Sequence, residues 1–335
     1  MKRSKLFKAL CLAVAALFCI SIIPSALAVG VAELPESDQE KLLAFWQQEA
    51  YDGLTNAEAV YDYHIPDSIN HLSSPSYGGG YHTILIREQS AGGGRIGYDF
   101  NFAYYIPVSG VNEDGDAWDG YWDVYPDLYG PLDLSGTGLM KLGVWRGEEM
   151  THPLLPGQTH ITSVTLDGCD LLRTAKFSGQ EYCGIFSALD CPQLSKVELL
   201  DGALRRIDVG TELYEKTVGA AAFGSGSIGM AFDAENGEEI MLAAYPENDI
   251  FIGWFDGGEL VSRELECTVS DGGSYRAVFG GDADGDGVLT VTDAVLALRM
   301  AMNLLDGGNS VDVNGSGGAD ISDAIMILRF AMGII

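Results

Sequence analysis

Ile161-Thr-Ser-Val164-Thr-Leu166, Leu172-Arg-Thr-Ala175-Lys-Phe177, Cys183-Gly-Ile-Phe186-Ser-Ala188, Leu194-Ser-Lys-Val197-Glu-Leu199 and Leu204-Arg-Arg-Ile207-Asp-Val209 write one short pattern five times: apolar, two positions, apolar, one position, apolar. Successive copies start 10 or 11 residues apart. Upstream, Tyr129/Leu132/Leu134 and Leu139/Leu142/Val144 fit the same template, and Met150/Pro153/Leu155 fills the following gap poorly. A half-coil is therefore about 11 residues and a coil about 22. A unit this short cannot bury its own apolar side, so the copies must stack, each covering the next. Cys169 and Cys191 are 22 residues apart and so fall one above the other.

Residues 128–210 resemble a divergent leucine-rich repeat of the short bacterial exported kind, with Gly and Cys replacing the usual Asn ladder. That resemblance implies an exposed strand face that binds another protein or a glycan, and no catalytic residue in the repeat itself. Downstream, 239–245, 249–255, 265–269 and 275–279 alternate as strands. Ala243-Ala-Tyr-Pro246, Phe251-Ile-Gly-Trp-Phe255 and Arg276-Ala-Val-Phe279 resemble the internalin-type B repeat, a small β module in which Trp254 would be a core residue.

Beyond residue 280 a second kind of repeat begins. Asp282-Ala-Asp284-Gly-Asp286-Gly-Val288-Leu-Thr290-Val-Thr-Asp293 is matched 30 residues later by Asp312-Val-Asn314-Gly-Ser316-Gly-Gly318-Ala-Asp320-Ile-Ser-Asp323. Both copies set oxygen-bearing side chains at loop positions 1, 3, 5, 9 and 12 and Gly at 6. Position 7, Val288 or Gly318, offers its backbone carbonyl. A hard cation needs this arrangement: alternate residues of a tight loop point inward, and Gly permits the sharp turn. Acidic turns often merely cap helices. Two copies in register, each running into near-identical apolar text at 294–302 and 324–332, favour the metal reading.

Residues 281–335 resemble the dockerin module of cellulosomal proteins, a duplicated calcium loop and helix with Asp instead of Glu at position 12. The resemblance implies two bound Ca²⁺ ions and a cohesin partner on a scaffolding or cell-surface protein. The family's recognition positions fall on Val291, Thr292, Ile321 and Ser322, with Leu298-Arg299 and Leu328-Arg329 further along the helices. The two halves are similar enough to leave docking in either of two orientations open. Ser316 departs from the family's Asp or Asn. Loop one has four side-chain carboxylates (Asp282, Asp284, Asp286, Asp293) and loop two has three (Asp312, Asp320, Asp323), so the second site is expected to be the weaker.

The 335 residues suffice for two or three domains. With 48 acidic against 19 basic residues, the net charge of -29 argues against nucleic acid or an anionic membrane surface as partner. Residues 1–28 read as a signal peptide: Lys2, Arg3, Lys5 and Lys8, an apolar run from Ala9, then Pro24 and Ala26-Leu27-Ala28. A retained anchor is the alternative; cleavage would leave no membrane segment. It would also remove Cys11 and Cys19. Buried thiols are then favoured for Cys169, Cys183, Cys191 and Cys267, with a Cys169 to Cys191 bridge as the other possibility.

Residues 29–127 are the least legible. Ser37-Asp-Gln-Glu40 reads as a capping box opening a helix that Gly53 ends, and strands are expected at 83–86 and 96–106. Trp118, Tyr121, Trp122, Tyr125 and Tyr129 form either a sugar-stacking platform or core packing, the commoner fate of such residues. Asn112, Asp114, Asp116 and Asp123 imitate the calcium spacing, but Ala117 stands where Gly is wanted. Two carboxylates in so acidic a chain are no sign of glycoside hydrolysis. His64, His71, His82, His152 and His160 lack metal-ligand spacing.

These readings predict a multidomain, β-rich chain: a signal peptide (1–28), an N-terminal cap (29–127), a short leucine-rich-repeat solenoid (128–210), a small all-β module (211–280) and a C-terminal all-α, EF-hand-like dockerin (281–335). The expected role is a non-catalytic exported subunit in polysaccharide catabolism. The alternative is a dockerin-tethered glycoside hydrolase with its site in 29–127.

Overall fold

The computed structural model describes residues 34–56, 84–88, 96–101, 104–111, 117–124, 128–143, 160–177, 183–200, 202–210, 217–237, 239–247, 249–269, 272–306 and 311–334. The signal-peptide reading, Cys11 and Cys19, four of the five His residues, Tyr125 and the Met150 copy lie outside them.

The 11-residue spacing is realised as alternation between two sheets. Strands β5 (Tyr129–Asp133), β7 (His160–Thr165), β9 (Ile185–Ala188) and β11 (Arg206–Val209) run parallel in one sheet. Strands β6 (Leu139–Gly143), β8 (Thr174–Lys176) and β10 (Lys196–Leu199) run parallel in the other. Each half-coil contributes one strand, and its second and third apolar residues point between the sheets. Leu132, Leu134, Leu142, Val164, Leu166, Ala175, Phe186, Ala188, Leu199 and Ile207 are fully buried there. At roughly 1.5–3 kcal/mol for each large apolar side chain, this column is what holds the coil together.

The N-terminal end is closed by helix α1 (Glu36–Trp46), whose Phe45 and Trp46 lie against Phe100 at ring separations of 5.9 and 6.1 Å. The Ser37 capping box does not form. The helix opens after Pro35 with no side-chain cap, so Ser37 already lies in its first turn, where its hydroxyl donates to Asp38, which also accepts the amide of Gly138 at 2.7 Å. The expected strands become β1 (Ile84–Glu88), β2 (Ile96–Asn101) and β3 (Tyr104–Val111), the last paired with β4 (Ala117–Val124) in a separate ribbon.

At the other end the expected architecture is overturned. The described residues contain two mixed eight-stranded sheets and three α-helices, not a string of separate solenoid, all-β and all-α modules. The coil does not stop at 210. β11 pairs antiparallel with β12 (Val218–Phe223), and β10 with β13 (Gly226–Asp233), so both sheets continue into the second half. β14 (Ile240–Pro246) and β17 (Glu266–Val269) extend the sheet of β6, β8 and β10, the first sheet; β18 (Gly273–Phe279), β15 (Phe251–Asp256) and β16 (Glu259–Ser262) extend that of β5, β7, β9 and β11, the second. One apolar core runs from Leu34 to Phe279, with Trp254 fully buried in it.

The C-terminal segment is a single helix pair, α2 (Val291–Ala301) and α3 (Ile321–Ala331), and not an all-α module with its own core. Its inward residues include Ala294, Ala297 and Ala324, too small to fill a core between two helices. They share a cluster with Ile252, Phe255 and Val278, which project from the outer face of the second sheet. Phe255 and Phe330 meet at 5.8 Å.

The four described cysteines are free thiols, so the Cys169 to Cys191 bridge is not formed. Burial pushes the Cys169 thiol up to about 11 and those of Cys183 and Cys191 to about 12, which keeps them protonated and inert at neutral pH.

Candidate metal centre

Loop one starts without a linker. β18 ends at Phe279, and Gly280 and Gly281 lead straight to Asp282. Asp282 organises the first turn: one carboxylate oxygen accepts the amides of Gly285 (2.8 Å) and Asp286 (3.2 Å), the other that of Gly287 (2.8 Å). Gly285 and Gly287 sit at φ 74° and 82°, the left-handed region a tight loop requires. At the far end Asp293 is fully buried and serves as the third helical residue of a capping box with Thr290. Its carboxylate accepts the amides of Ala283 (2.9 Å), Asp284 (3.2 Å) and Thr290 (2.7 Å) and the Thr290 hydroxyl (3.0 Å).

This winding brings Asp282, Asp284 and Asp293 together, one oxygen from each within 4.8 Å of the others. Asp286 stays exposed and accepts the Val288 amide at 2.8 Å. The charges are unequal in comfort. Partial desolvation, then the neighbouring Asp286, Asp293 and Asp282, pushes the Asp284 carboxyl above its ordinary range. Burial acts on Asp293 in the same direction but is outweighed by its amide and hydroxyl donors, and its carboxyl is held low.

Loop two repeats the winding with fewer charges. Asp312 accepts the amides of Ser316 (2.9 Å) and Gly317 (2.8 Å). Asp323, fully buried, accepts those of Asn314 (3.0 Å) and Asp320 (2.7 Å). Asp320 caps α3 through the amides of Ser322 and Asp323, and its carboxyl is held low by those donors against desolvation. Asp323 moves the other way: burial, with Asp320 and Asp312 beside it, pushes its carboxyl up. Ser316 donates its hydroxyl to the Gly318 carbonyl at 3.2 Å, so positions 5 and 7 of this loop lie side by side.

No family model, curated protein or solved structure matches this chain. The donor chemistry must therefore be weighed by itself. Every side chain gathered in loop one offers oxygen and several carry full charge, a set suited to a hard divalent cation and unsuited to a soft one. Asp282, Asp284, Asp286, Thr290 and Asp293 with the Val288 carbonyl would hold it. Asp312, Asp320 and Asp323 are not drawn together in the same way among the described residues, and a second cation would be held there by these with Asn314, Ser316 and the Gly318 carbonyl.

The residues expected to meet a partner stand beside the loops and face outward: Val291, Thr292, Leu298, Arg299, Ile321, Ser322 and Arg329 are exposed and Leu328 is half-buried. Sequence reasoning missed their neighbours. Val291, Val295, Leu298 and Met302 follow at helical spacing on one side of α2, and Ile321, Ile325, Leu328 and Met332 on the matching side of α3. Of these eight, all but Leu328 are exposed. The i, i+4, i+7, i+11 spacing was the available signal. Both helices also end alike, in a left-handed Asn303 or Gly333 with Leu304 and Ile334 amides bonded back to the Arg299 and Arg329 carbonyls.

The aromatic cluster is divided. Trp118, Tyr121 and Trp122 lie on β4 in the ribbon, whereas Tyr129 lies on β5 of the second sheet, stacked on His160 at 4.2 Å. Of the calcium-like imitation upstream, Asp123 is on β4 and Asn112, Asp114 and Asp116 lie outside the described residues. No described helix is long and apolar enough to cross a membrane.

Proposed function

We propose that this chain is a non-catalytic, exported subunit that attaches to a larger assembly through a calcium-dependent, dockerin-type contact with a cohesin, within polysaccharide breakdown. The observation that carries the reading is the pairing of two oxygen-lined loops with two matching exposed apolar stripes, each stripe beginning at the residue after its loop's ninth position. Isolated exposed apolar residues need no explanation, but two stripes in register on adjoining helices describe a contact surface. Arg299 and Arg329 add positive charge to a surface that otherwise belongs to a very acidic chain. Calcium, when bound, would supply the positive charge that offsets the crowded carboxylates. The exposed faces of the coil, where Ile185, Arg206 and Thr162 point outward, remain for a protein or glycan ligand.

The test is calorimetric titration of Ca²⁺ into the full chain, followed by a cohesin panel with and without chelator. Two bound ions of unequal affinity and cohesin binding abolished by chelator are expected. Absence of calcium binding, or cohesin binding that survives chelation, overturns the reading.

A further inference from the structure

The two cation loops have a second face. Up to the ninth position the odd places carry the oxygens, and several residues between them are apolar and join the cluster beneath the helix pair. In loop one these are Ala283 and Leu289, and in loop two Val313 and Ala319, with Val311 directly before the first aspartate. All five belong to the cluster that contains Ile252, Phe255 and Val278 of the second sheet. Val311 and Val313, on either side of Asp312, are fully buried in it. Ligands and sheet contacts therefore alternate along one short stretch of backbone. Neither set can change its arrangement without moving the other.

The two loops are not equally fastened. A Cβ placed on Gly315, the fourth position of loop two, would overlap the ring of Phe223 on β12. One placed on Gly285, at the same position of loop one, would meet nothing. Helix α3 sets Ile327 and Phe330 into the sheet cluster where α2 has Ala297 and Met300. Loop two and its helix are held on the sheet by side-chain packing, whereas loop one is tied to it by chain continuity through Gly280 and Gly281.

We infer that cation binding at loop two and closure of the helix pair on the second sheet are one coupled equilibrium: the loop is a latch whose ion holds the docking surface in a fixed place on the β body, and whose release uncovers Phe223, Ile252, Phe255 and Val278. This rests on the calcium reading above. Coupling of this kind is reciprocal, so a change made in the sheet must be felt at the ion. Phe223→Ala touches no ligand and lies on a different strand, yet it removes the ring that backs Gly315.

The experiment is two-site calcium titration of the full chain and of Phe223→Ala, with amide exchange of the unaltered protein in calcium and in chelator. The latch predicts a fall of about tenfold in affinity at the weaker site only, within the usual range for coupled sites. It also predicts faster exchange on chelation in 251–256 and 273–279. Unchanged affinities in the variant together with unchanged exchange in these strands overturn the latch while leaving calcium binding intact. If the unaltered protein binds no calcium, the docking reading falls with it, so the two failures are distinguishable. Should Phe223→Ala not fold, the exchange measurement alone decides.

Discussion

Set side by side, the halves of the C-terminal repeat match on one face and diverge on the other. Val291, Val295, Leu298 and Met302 correspond to Ile321, Ile325, Leu328 and Met332, all apolar and nearly all exposed. Facing the sheet, Ala297 and Met300 correspond to Ile327 and Phe330, which are larger and buried. The loops differ in the opposite sense, the first richer in carboxylates and the second closer to the sheet. The lesson is that a duplicated sequence does not give a duplicated environment. A symmetric pair set on an asymmetric β surface must fit that surface with one half, and the half that fits gives up charge for packing.

The largest effect should come from removing the packing of the second half. Phe330→Ala leaves a cavity against Phe255 and should cost about 3–5 kcal/mol in denaturant unfolding. Met300→Ala, at the matching but half-buried position, should cost less than half of that. Equal losses would break the asymmetry. Next comes the buried carboxylate at the twelfth position. Asp293→Ala strands three backbone amides and a hydroxyl, whereas Asp323→Ala strands two amides. At roughly 1 kcal/mol for each stranded donor, Asp293→Ala should lower stability by about 4 kcal/mol and Asp323→Ala by about 2 kcal/mol. The first should also abolish calcium binding at loop one and weaken docking. Cohesin affinity equal to that of the unaltered chain would show that loop one does not support the contact.

How far such contrasts can be read without coordinates depends on whether they are local. The β-rich character and the inward residues of the coil are legible because a period of 11 assigns each residue a face; Val164, Phe186 and Ile207 follow from spacing alone. The continuation of both sheets beyond 210 is not legible, because antiparallel pairing of β12 with β11 and β13 with β10 joins residues with no common period. The false capping box at Ser37 is a shift of the helix start: the chain enters the helix after Pro35, so Ser37 falls in the first turn beside Asp38, which binds the amide of Gly138, 100 residues away. At the candidate site, loop spacing names the oxygens directly. What it hides is the apolar residues between them, since Val313 or Leu289 reveals its role only when the sheet beneath it is known. The outward stripes were within reach, because Val295 and Ile325 follow Val291 and Ile321 by four residues.

The third expected effect is a gain. Ser316→Asp restores a fourth carboxylate to loop two and should raise its calcium affinity by about tenfold, since affinity rises with ligand charge. The gap between the two sites in a calorimetric titration should then narrow. A fall in affinity instead would mean that the Ser316 hydroxyl bond to the Gly318 carbonyl shapes the loop more than charge does.

The smallest effect on stability concerns the face the two halves share. Val295→Asp and Ile325→Asp replace exposed side chains that make no part of either buried cluster, so each should change unfolding free energy by no more than about 0.5 kcal/mol. If the stripes form the contact surface, each charge placed on one should nonetheless weaken cohesin binding, because a carboxylate would be buried without a partner. The pair of variants also measures how evenly the halves are used. Equal losses would mean that either stripe can serve. A loss confined to one would mean that fastening α3 to the sheet has already chosen the orientation in which the partner approaches.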